Sequence, residues 1–310
     1  MICNADARQI PLSNNSVQCV ITSPPYFGLR DYGVGGQIGL EDSLEDYIEA
    51  LCCVFDGLWA ALRDDGTVWL NLGDSYAGNN SRASHGGRAG FGTPRECIVK
   101  RGTKSKDLMF VPHRVAIALQ ERGWYVRQDI VWHKPNPMPE SVTDRCTRAH
   151  EYIFMLTKSP RYYYDAASIS ERAQPHLGKV LDVRSSGTGL ARAGISGNPD
   201  RAGNFLSTNG FANKRSVWTV TTKPFSGAHF ATFPPDLVEP MILAGCPEGG
   251  VILDPFCGSG TVGMVCRKHS RKFVGLDLSM EYLSTLALPR SEQQQTKAAI
   301  EELPLFGGIE

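Results

Sequence analysis

Two short stretches of the chain carry residues whose types and spacing could do chemistry. The first is Thr22-Ser23-Pro24-Pro25-Tyr26, which follows directly on the apolar run Val17-Gln18-Cys19-Val20-Ile21. Consecutive prolines cannot extend a central strand, because neither donates a ladder hydrogen bond. The chain therefore runs along a buried strand and stops at a stiff loop presenting a hydroxyl, an unpaired carbonyl and a ring. The second stretch is Val251-Ile252-Leu253-Asp254-Pro255-Phe256-Cys257-Gly258-Ser259-Gly260-Thr261-Val262-Gly263, a buried strand whose glycine turn opens a helix. Gly258, Gly260 and Gly263 satisfy G-x-G-x-x-G, and Asp277 closes the next strand nineteen positions after Gly258. The glycines let a ligand approach the backbone, and a carboxylate at the second strand end can accept both hydroxyls of a ribose. This is the pattern of a nucleoside site. No Gly-Lys-Ser/Thr follows, so nothing would grip a β- or γ-phosphate.

Together the stretches define a reaction type. An exocyclic amino group on an aromatic base is a poor nucleophile, because its lone pair is delocalised into the ring. Two acceptors, one for each N–H, would hold that group out of plane and disperse the charge that develops during attack. The Ser23 hydroxyl and the Pro24 carbonyl supply two such acceptors, held rigid by Pro24 and Pro25. Tyr26 supplies a ring face on which a base removed from its stack can lie.

Around these residues the pattern alternates strands and helices. Ser43 can cap a helix with apolar positions Leu44, Tyr47, Ile48, Leu51, Cys52, Phe55, Leu58, Trp59 and Leu62. Asp64-Asp65-Gly66 is expected to turn the chain into a strand at Thr67–Leu72. A helix near Val111–Arg122 ends at Gly123, with strands following at Tyr125–Trp132 and Tyr152–Thr157. A helix near Asp236–Ala244, the strand Val251–Asp254, a helix from Thr261 and the strand Lys272–Asp277 complete the series. Strands separated by helices of this length mean a mostly parallel sheet covered on both faces, an α/β fold. Ligands of such sheets sit beyond the carboxyl ends of the strands, where Thr22–Tyr26 lies.

Composition sets bounds on this reading. At 42% hydrophobic and 21% charged residues, 310 residues can bury a substantial core. The formal net charge is zero, so only a local cluster could announce a nucleic-acid partner. Residues 76–106 and 161–224 are such clusters, rich in glycine and polar residues. The first carries Arg82, Arg88, Lys100 and Arg101, the second Arg184, Arg192, Lys214 and Arg215. They read either as solvated loops or as a clamp contacting phosphates. Nine cysteines show no C-x-x-C spacing, so no metal site and no disulfide framework is expected. No apolar run near 18 residues occurs, and a cytoplasmic place is expected.

Thr22–Tyr26 resembles the catalytic motif of the DNA amino-methyltransferases, and Asp254–Thr261 resembles their S-adenosylmethionine motif. The catalytic motif comes first, the basic irregular region follows and the cofactor motif comes last. That permuted order is similar to the β group of these enzymes, found in restriction–modification systems, phages and prophages. His229-Phe230-Ala231-Thr232-Phe233-Pro234 is similar to the cofactor-side segment before the glycine motif, and Trp132-His133-Lys134-Pro135-Asn136-Pro137 to a loop near the target base. The resemblance covers roughly residues 4–285. It implies a Rossmann-like fold, with a seven-stranded, mostly parallel sheet containing one reversed strand. It divides the chain into a catalytic half at 1–160, a variable target-recognition region at 161–224, a cofactor-binding half at 225–290 and a tail at 291–310.

The resemblance also implies roles. Asp277 would hold the ribose, Phe256 and Phe233 would pack beside the methionine part, and Gly258, Ser259 and Gly260 would allow close approach. Thr261 would meet the cofactor's carboxylate at the helix start. Thr22 and Asp254 would flank the cofactor, and Asp6 would lie near its adenine. His133, Lys134 and Asn136 would stand near the DNA. Each has a plainer alternative: the phenylalanines suit a core, Asp6 a turn, and His133 a structural contact. Asn71 and Asp74 would either border the base pocket or form a turn. Relatives with Ser at the first motif position mostly methylate cytosine at its exocyclic nitrogen, so N4-cytosine is expected and N6-adenine is the alternative. A cytosine-carbon enzyme needs a nucleophilic cysteine, usually after a proline, and none of the nine cysteines follows one. A nicotinamide-dependent oxidoreductase would share the glycine motif but has no use for Ser-Pro-Pro-Tyr. A non-catalytic DNA-binding subunit would not need both motifs intact. The expected partner is double-stranded DNA, the sequence leaves open whether a restriction endonuclease accompanies it, and the chain is expected to act as monomer or homodimer.

Overall fold

The computed structural model describes residues 1–77, 104–172, 211–222 and 234–288. Two compact units are present, one of Met1–Tyr164 with Ser216–Glu310 and the other of Asp165–Arg215. The strands are β1 (Ile2–Asn4), β2 (Val17–Thr22), β3 (Leu62–Leu72), β4 (Tyr125–His133), β5 (His150–Thr157), β6 (Glu171–Arg172), β7 (Phe211–Ala212), β8 (Val217–Thr219), β9 (Val251–Asp254) and β10 (Lys272–Asp277). The helices are α1 (Leu44–Ala61), α2 (Val111–Glu121), α3 (Pro235–Gly245), α4 (Thr261–Lys268) and the short α5 (Met280–Tyr282), which runs into a π turn at Leu283–Ala287.

In the first unit the sheet order is β1-β10-β9-β2-β3-β5-β4-β8. Only β5 runs against its neighbours β3 and β4; the other pairings are parallel. Seven of these strands match the expected sheet with one reversed strand. The eighth, β8, is a three-residue addition on the β4 edge. In the second unit β6 and β7 form a two-stranded antiparallel pair.

The element boundaries follow from the side chains. The Ser43 hydroxyl caps α1 by accepting from the Asp46 amide at 3.1 Å, and Leu44, Tyr47, Leu51, Phe55 and Leu58 turn one stripe into the core. All six residues of β2 are buried, as befits a strand with neighbours on both sides and layers on both faces. Gly245 at the end of α3 lets that helix press on the sheet: a β-carbon there would stand 2.6 Å from Trp69 Nε1. One boundary differs from expectation. Leu62 caps α1 and at once begins β3, with no separate turn at Asp64–Gly66. Residues 63–66 instead bulge out between the pairs Val17–Leu62 and Cys19–Thr67, so the turn residues re-aim a strand already begun. Among the described residues no helix is long and apolar enough to cross a membrane.

Strands β2 and β9 are neighbours at the centre of the sheet. The chain leaves β9 through α4 to β10 on one side, and leaves β2 through α1 to β3 on the other. Their carboxyl ends thus face a topological switch point, where the connections part and a crevice opens.

Candidate active site

A cavity of about 790 Å³ lies over that switch point, entirely within the first unit. One wall belongs to β9, α4 and β10. Asp254, Phe256, Gly258, Ser259, Thr261 and Asp277 line it, joined by Asp6, Tyr32 and Tyr282. Gly258 adopts φ 46°, a left-handed conformation that costs little without a side chain. Its amide donates to Asp277 Oδ2 at 2.9 Å, and the Ser279 amide donates to Asp277 Oδ1 at 2.8 Å. The Asp277 carboxylate is thus fixed at the cavity wall, with a lone pair on each oxygen left for a ligand. Burial raises its pKa, while the two backbone amides oppose the rise.

Asp254 lies deeper. Its Oδ1 accepts from the Thr22 hydroxyl at 2.9 Å and from the Phe256 amide at 3.1 Å. Burial pushes its pKa up to about 7, with the charge of Asp277 adding to the rise. Thr22 is fully buried and does not line the cavity; it acts on the wall through Asp254. Gly260 is also absent from the lining. Its φ of 73° and the Ala287 backbone, 3.1 Å from where a β-carbon would sit, make this glycine a packing requirement, not a point of ligand approach. Ser259 and Thr261 line the cavity, their hydroxyls 3.4 Å apart at the start of α4. Asp6 lines it too, but its carboxylate is already gripped by Arg8 through Nε and Nη2. The Arg8 guanidinium also donates to the Gly36 carbonyl at 2.8 Å, tying this wall to the loop that follows Tyr26.

The opposite wall is assembled from the ends of four strands. Ser23, Pro24, Pro25 and Tyr26 line it, together with Asn71 of β3, Trp132 of β4, Lys134 just after β4, and Glu151 of β5. The Pro-Pro loop is anchored from below, where the Tyr47 hydroxyl of α1 donates to the Pro25 carbonyl at 2.9 Å. Among the described residues no donor reaches the Pro24 carbonyl. The Tyr26 hydroxyl donates to Glu151 Oε2 at 2.7 Å. Asn71 Nδ2 donates to the Tyr26 oxygen at 2.7 Å, to Glu151 Oε2 at 2.9 Å and to Ser23 Oγ at 3.3 Å. The other Glu151 oxygen is paired with Lys134 Nζ, which also lies 4.2 Å from the centre of the Trp132 ring. A β-carbon on Gly73 would stand 2.6 Å from the Tyr26 ring, so this glycine makes room for the tyrosine.

Several expected residues find other places. His133 Nδ1 meets the Thr219 hydroxyl at 3.2 Å, and Asn136 exchanges two 3.0 Å hydrogen bonds with the Thr222 backbone. The first joins the paired ends of β4 and β8, the plainer alternative for His133, and the second ties the loop after β4 to the chain after β8. Lys134 belongs to the cavity wall and Asn136 to its rim. Asp74 does not line the cavity; its Oδ1 accepts from the Ser75 and Val111 amides, a turn and the start of α2. Asn71 does border it. In the second unit, Arg215 donates to Glu171 Oε1 through its backbone amide at 3.0 Å and Nε at 2.6 Å. Lys214 belongs to the same unit. Phe233, Arg82, Arg88, Lys100, Arg101, Arg184 and Arg192 lie outside the described residues. Glu151, Tyr32 and Tyr282 carried no signal in the sequence, since none sits in a motif and each reaches the cavity only through the fold.

The arrangement fits a nucleoside against the first wall. The fixed Asp277 carboxylate, the left-handed Gly258 and the apolar Phe256 supply the acceptor, the close approach and the packing that such a group needs. The second wall offers two acceptors and the Tyr26 ring to a flat base.

Comparison with known proteins places the whole chain. Residues 17–288 match a family model described as DNA methylase. The chain is 45% identical to the Type II methyltransferase M.Cfr9I of Citrobacter freundii over 295 residues, covering 93% of this chain and 85% of that protein. It is 44% identical to the Type II methyltransferase M.SmaI of Serratia marcescens over 284 residues, covering 90% and 86%. Among solved structures, the PvuII DNA methyltransferase (cytosine-N4-specific) superposes with a TM-score of 0.61 at 17% identity, covering 97% of this chain and 90% of that one. The M1.HpyAVI–SAM complex superposes with a TM-score of 0.51 at 19% identity, covering 94% and 98%. These distant likenesses carry the fold.

Proposed function

The chain belongs to the DNA methylase family, and on that premise we propose that it methylates the exocyclic N4 of cytosine in duplex DNA, with S-adenosylmethionine as methyl donor. The observation that carries transfer to an exocyclic amine is that Ser23 and Pro24 line the same cavity as the fixed carboxylate of Asp277; the serine at the first motif position favours cytosine over adenine. S-adenosylmethionine supplies a methyl group on a sulfonium, ready for displacement. Asp277 meets its ribose, Phe256 packs against it, and Ser259 and Thr261 face its polar end.

On the other wall, Ser23 and Pro24 each accept one N–H of the target amine. The nitrogen lone pair is thereby turned from the ring toward the methyl carbon, and the growing positive charge is dispersed over two oxygens. A nitrogen–carbon bond forms as the carbon–sulfur bond breaks, and one amine proton then leaves to solvent. No covalent bond to the protein is needed. The base must leave the duplex to reach a cavity at the strand ends, at a cost of a few kcal/mol for unstacking. Residues 161–224 are the region that reads the DNA sequence, with Lys214 and Arg215 among its basic residues. Likeness to Type II methyltransferases supports a restriction endonuclease as the functional partner, and a DNA substrate supports action in the cytoplasm.

Nucleoside mass spectrometry of unmethylated plasmid DNA treated with the protein tests this. N4-methylcytosine is expected. N6-methyladenine would correct the base and keep the mechanism, because the same two acceptors fit either amine. 5-Methylcytosine, or a stable adduct with 5-fluorocytosine DNA, would overturn the direct displacement.

A further inference from the structure

The hydroxyl of Ser23 is both donor and acceptor, and a donor pointed at the target amine would repel it. Something must decide which way its proton turns. The structure supplies the decision at Glu151, some distance away in sequence and two hydrogen bonds away in space.

A carboxylate is acceptor-only, so every group facing Glu151 must present a proton to it. Three groups do: Lys134 Nζ on Oε1, and the Tyr26 hydroxyl and Asn71 Nδ2 on Oε2. Tyr26 has a single proton, and at 2.7 Å it is committed to Glu151. Burial and the adjacent Glu151 also push the phenol well above its ordinary pKa, so that proton stays in place. Toward its other neighbours the Tyr26 oxygen is therefore an acceptor. It receives Asn71 Nδ2 at 2.7 Å and the Ser23 Oγ–H at 3.4 Å. The orientation of the Asn71 amide is fixed by the same charge, since the reverse would set its oxygen against the carboxylate. Its two protons are shared over Tyr26, Glu151 and Ser23, while its Oδ1 is buried and accepts from no described residue. Ser23 Oγ thus gives its proton to Tyr26, receives one from Asn71, and retains one lone pair.

We infer that Glu151 is a positioning residue which, through the Tyr26 hydroxyl, turns the Ser23 proton away from the substrate and leaves an Oγ lone pair for the target amine. The inference rests on the proposed amine methylation, and it recasts two residues. The Tyr26 hydroxyl matters as well as its ring, and Lys134 serves the cavity wall before any phosphate.

The test uses Glu151→Gln, which keeps shape but gives one end of the side chain two protons. Lys134 holds the amide oxygen toward itself, so the amide nitrogen faces Tyr26 and Asn71; the acceptor that committed the Tyr26 proton and fixed the Asn71 amide is gone, and the Ser23 proton is no longer held away from the substrate. Adding Lys134→Met frees the amide to flip, which restores an acceptor to Tyr26. The full-length protein, in excess over unmethylated plasmid DNA and saturated with tritiated S-adenosylmethionine, gives the single-turnover methylation constant. Calorimetry gives cofactor affinity, and filter binding gives DNA affinity. Glu151→Gln should lower the constant about 100-fold, the scale of losing one preorganised electrostatic contact, with both affinities within about threefold of the parent by the same reasoning. The Glu151→Gln, Lys134→Met double variant should recover about tenfold of that loss. Tyr26→Phe, which removes the middle of the chain, should fall by a similar factor. A structural role for the ion pair predicts the reverse, with the double variant no faster than the single. That result, or a Tyr26→Phe variant as fast as the parent, would overturn the inference. A parent protein that methylates no amino group would instead show that the proposed function itself is wrong.

Discussion

The two walls of the cavity are held in opposite ways. The carboxylates of the cofactor-side wall are held mainly by backbone amides close by in the chain: Gly258 and Ser279 donate to Asp277, and Phe256, with the Thr22 hydroxyl, donates to Asp254. The base-side wall is fixed by side chains donating to side chains, and its members Tyr26, Asn71, Lys134 and Glu151 come from separate strand ends. Backbone donors stay in place when a neighbouring side chain is exchanged. A wall made of side chains carries chemical direction, because each hydroxyl and amide must choose which partner receives its proton. Binding should therefore be spread and tolerant on the first wall, and chemistry concentrated and sensitive on the second.

The largest expected effect sharpens this contrast. Ser23→Ala removes one of the two acceptors for the target amine and leaves Pro24 in place. The single-turnover methylation constant should fall about 100- to 1000-fold, the usual scale for one preorganised contact to developing charge. Cofactor affinity measured by calorimetry should stay within about twofold, since the Ser23 hydroxyl makes its hydrogen bonds to Tyr26 and Asn71 on the base side. A comparable loss of cofactor affinity would show that the walls are not separate.

A smaller effect is expected from the other side. Asp277→Ala should weaken S-adenosylmethionine binding by about 1.5–3 kcal/mol, the range for hydrogen bonds to a charged group. At saturating cofactor the methylation constant should stay within about threefold of the parent, because the lost contacts act alike in ground and transition states. Asp277→Asn, which keeps one acceptor oxygen for the Gly258 amide, should lie between the two. Unchanged affinity in a folded Asp277→Ala protein would remove the carboxylate from the ribose.

The same contrast governs what was legible in the sequence. The cofactor wall lies in one run, Val251–Gly263, followed nineteen positions after Gly258 by Asp277, so a strand, a turn and a helix announce it together. The parallel sheet was equally legible, because apolar runs and helical spacing are local signals. Ser23–Tyr26 was legible because two prolines end a strand abruptly and hold whatever polar groups flank them at its tip. Glu151 was not: it stands in the first residues of β5 beside aromatic and apolar neighbours, and only the antiparallel pairing of β5 with β3 and β4 brings it near Asn71 and Lys134. The stacking role expected of Tyr26 left out its hydroxyl for the same reason, since the partner lies 125 residues away. A turn was expected at Asp64–Gly66 where a bulge occurs, because turns and bulges share the same residue types.

The smallest effect concerns pH, and it tests whether the two carboxylates of the cofactor wall act together. Asp254 is raised by burial to about 7, far above the ordinary value of 3.8, with Asp277 contributing in the same direction. A folded pKa above the unfolded one means that this group's contribution to stability is full below 3.8 and is lost as pH rises to about 7. Thermal midpoints of the parent should therefore decline as pH rises from about 4 to about 7 and level off above it, and in Asp254→Asn this part of the decline should vanish. S-adenosylmethionine carries a sulfonium and an ammonium against one carboxylate, so a bound molecule favours ionised Asp254. Its affinity should rise about 3-fold from pH 6 to pH 8, with proton release on binding near pH 7 when two buffers of different ionisation enthalpy are compared. Asp254→Asn should bind with no such rise, while its Oδ1 still accepts from Thr22 and Phe256. An identical rise in the variant would assign the titration to another group, and a flat profile in the parent would mean that Asp254 senses the backbone around it and not the cofactor.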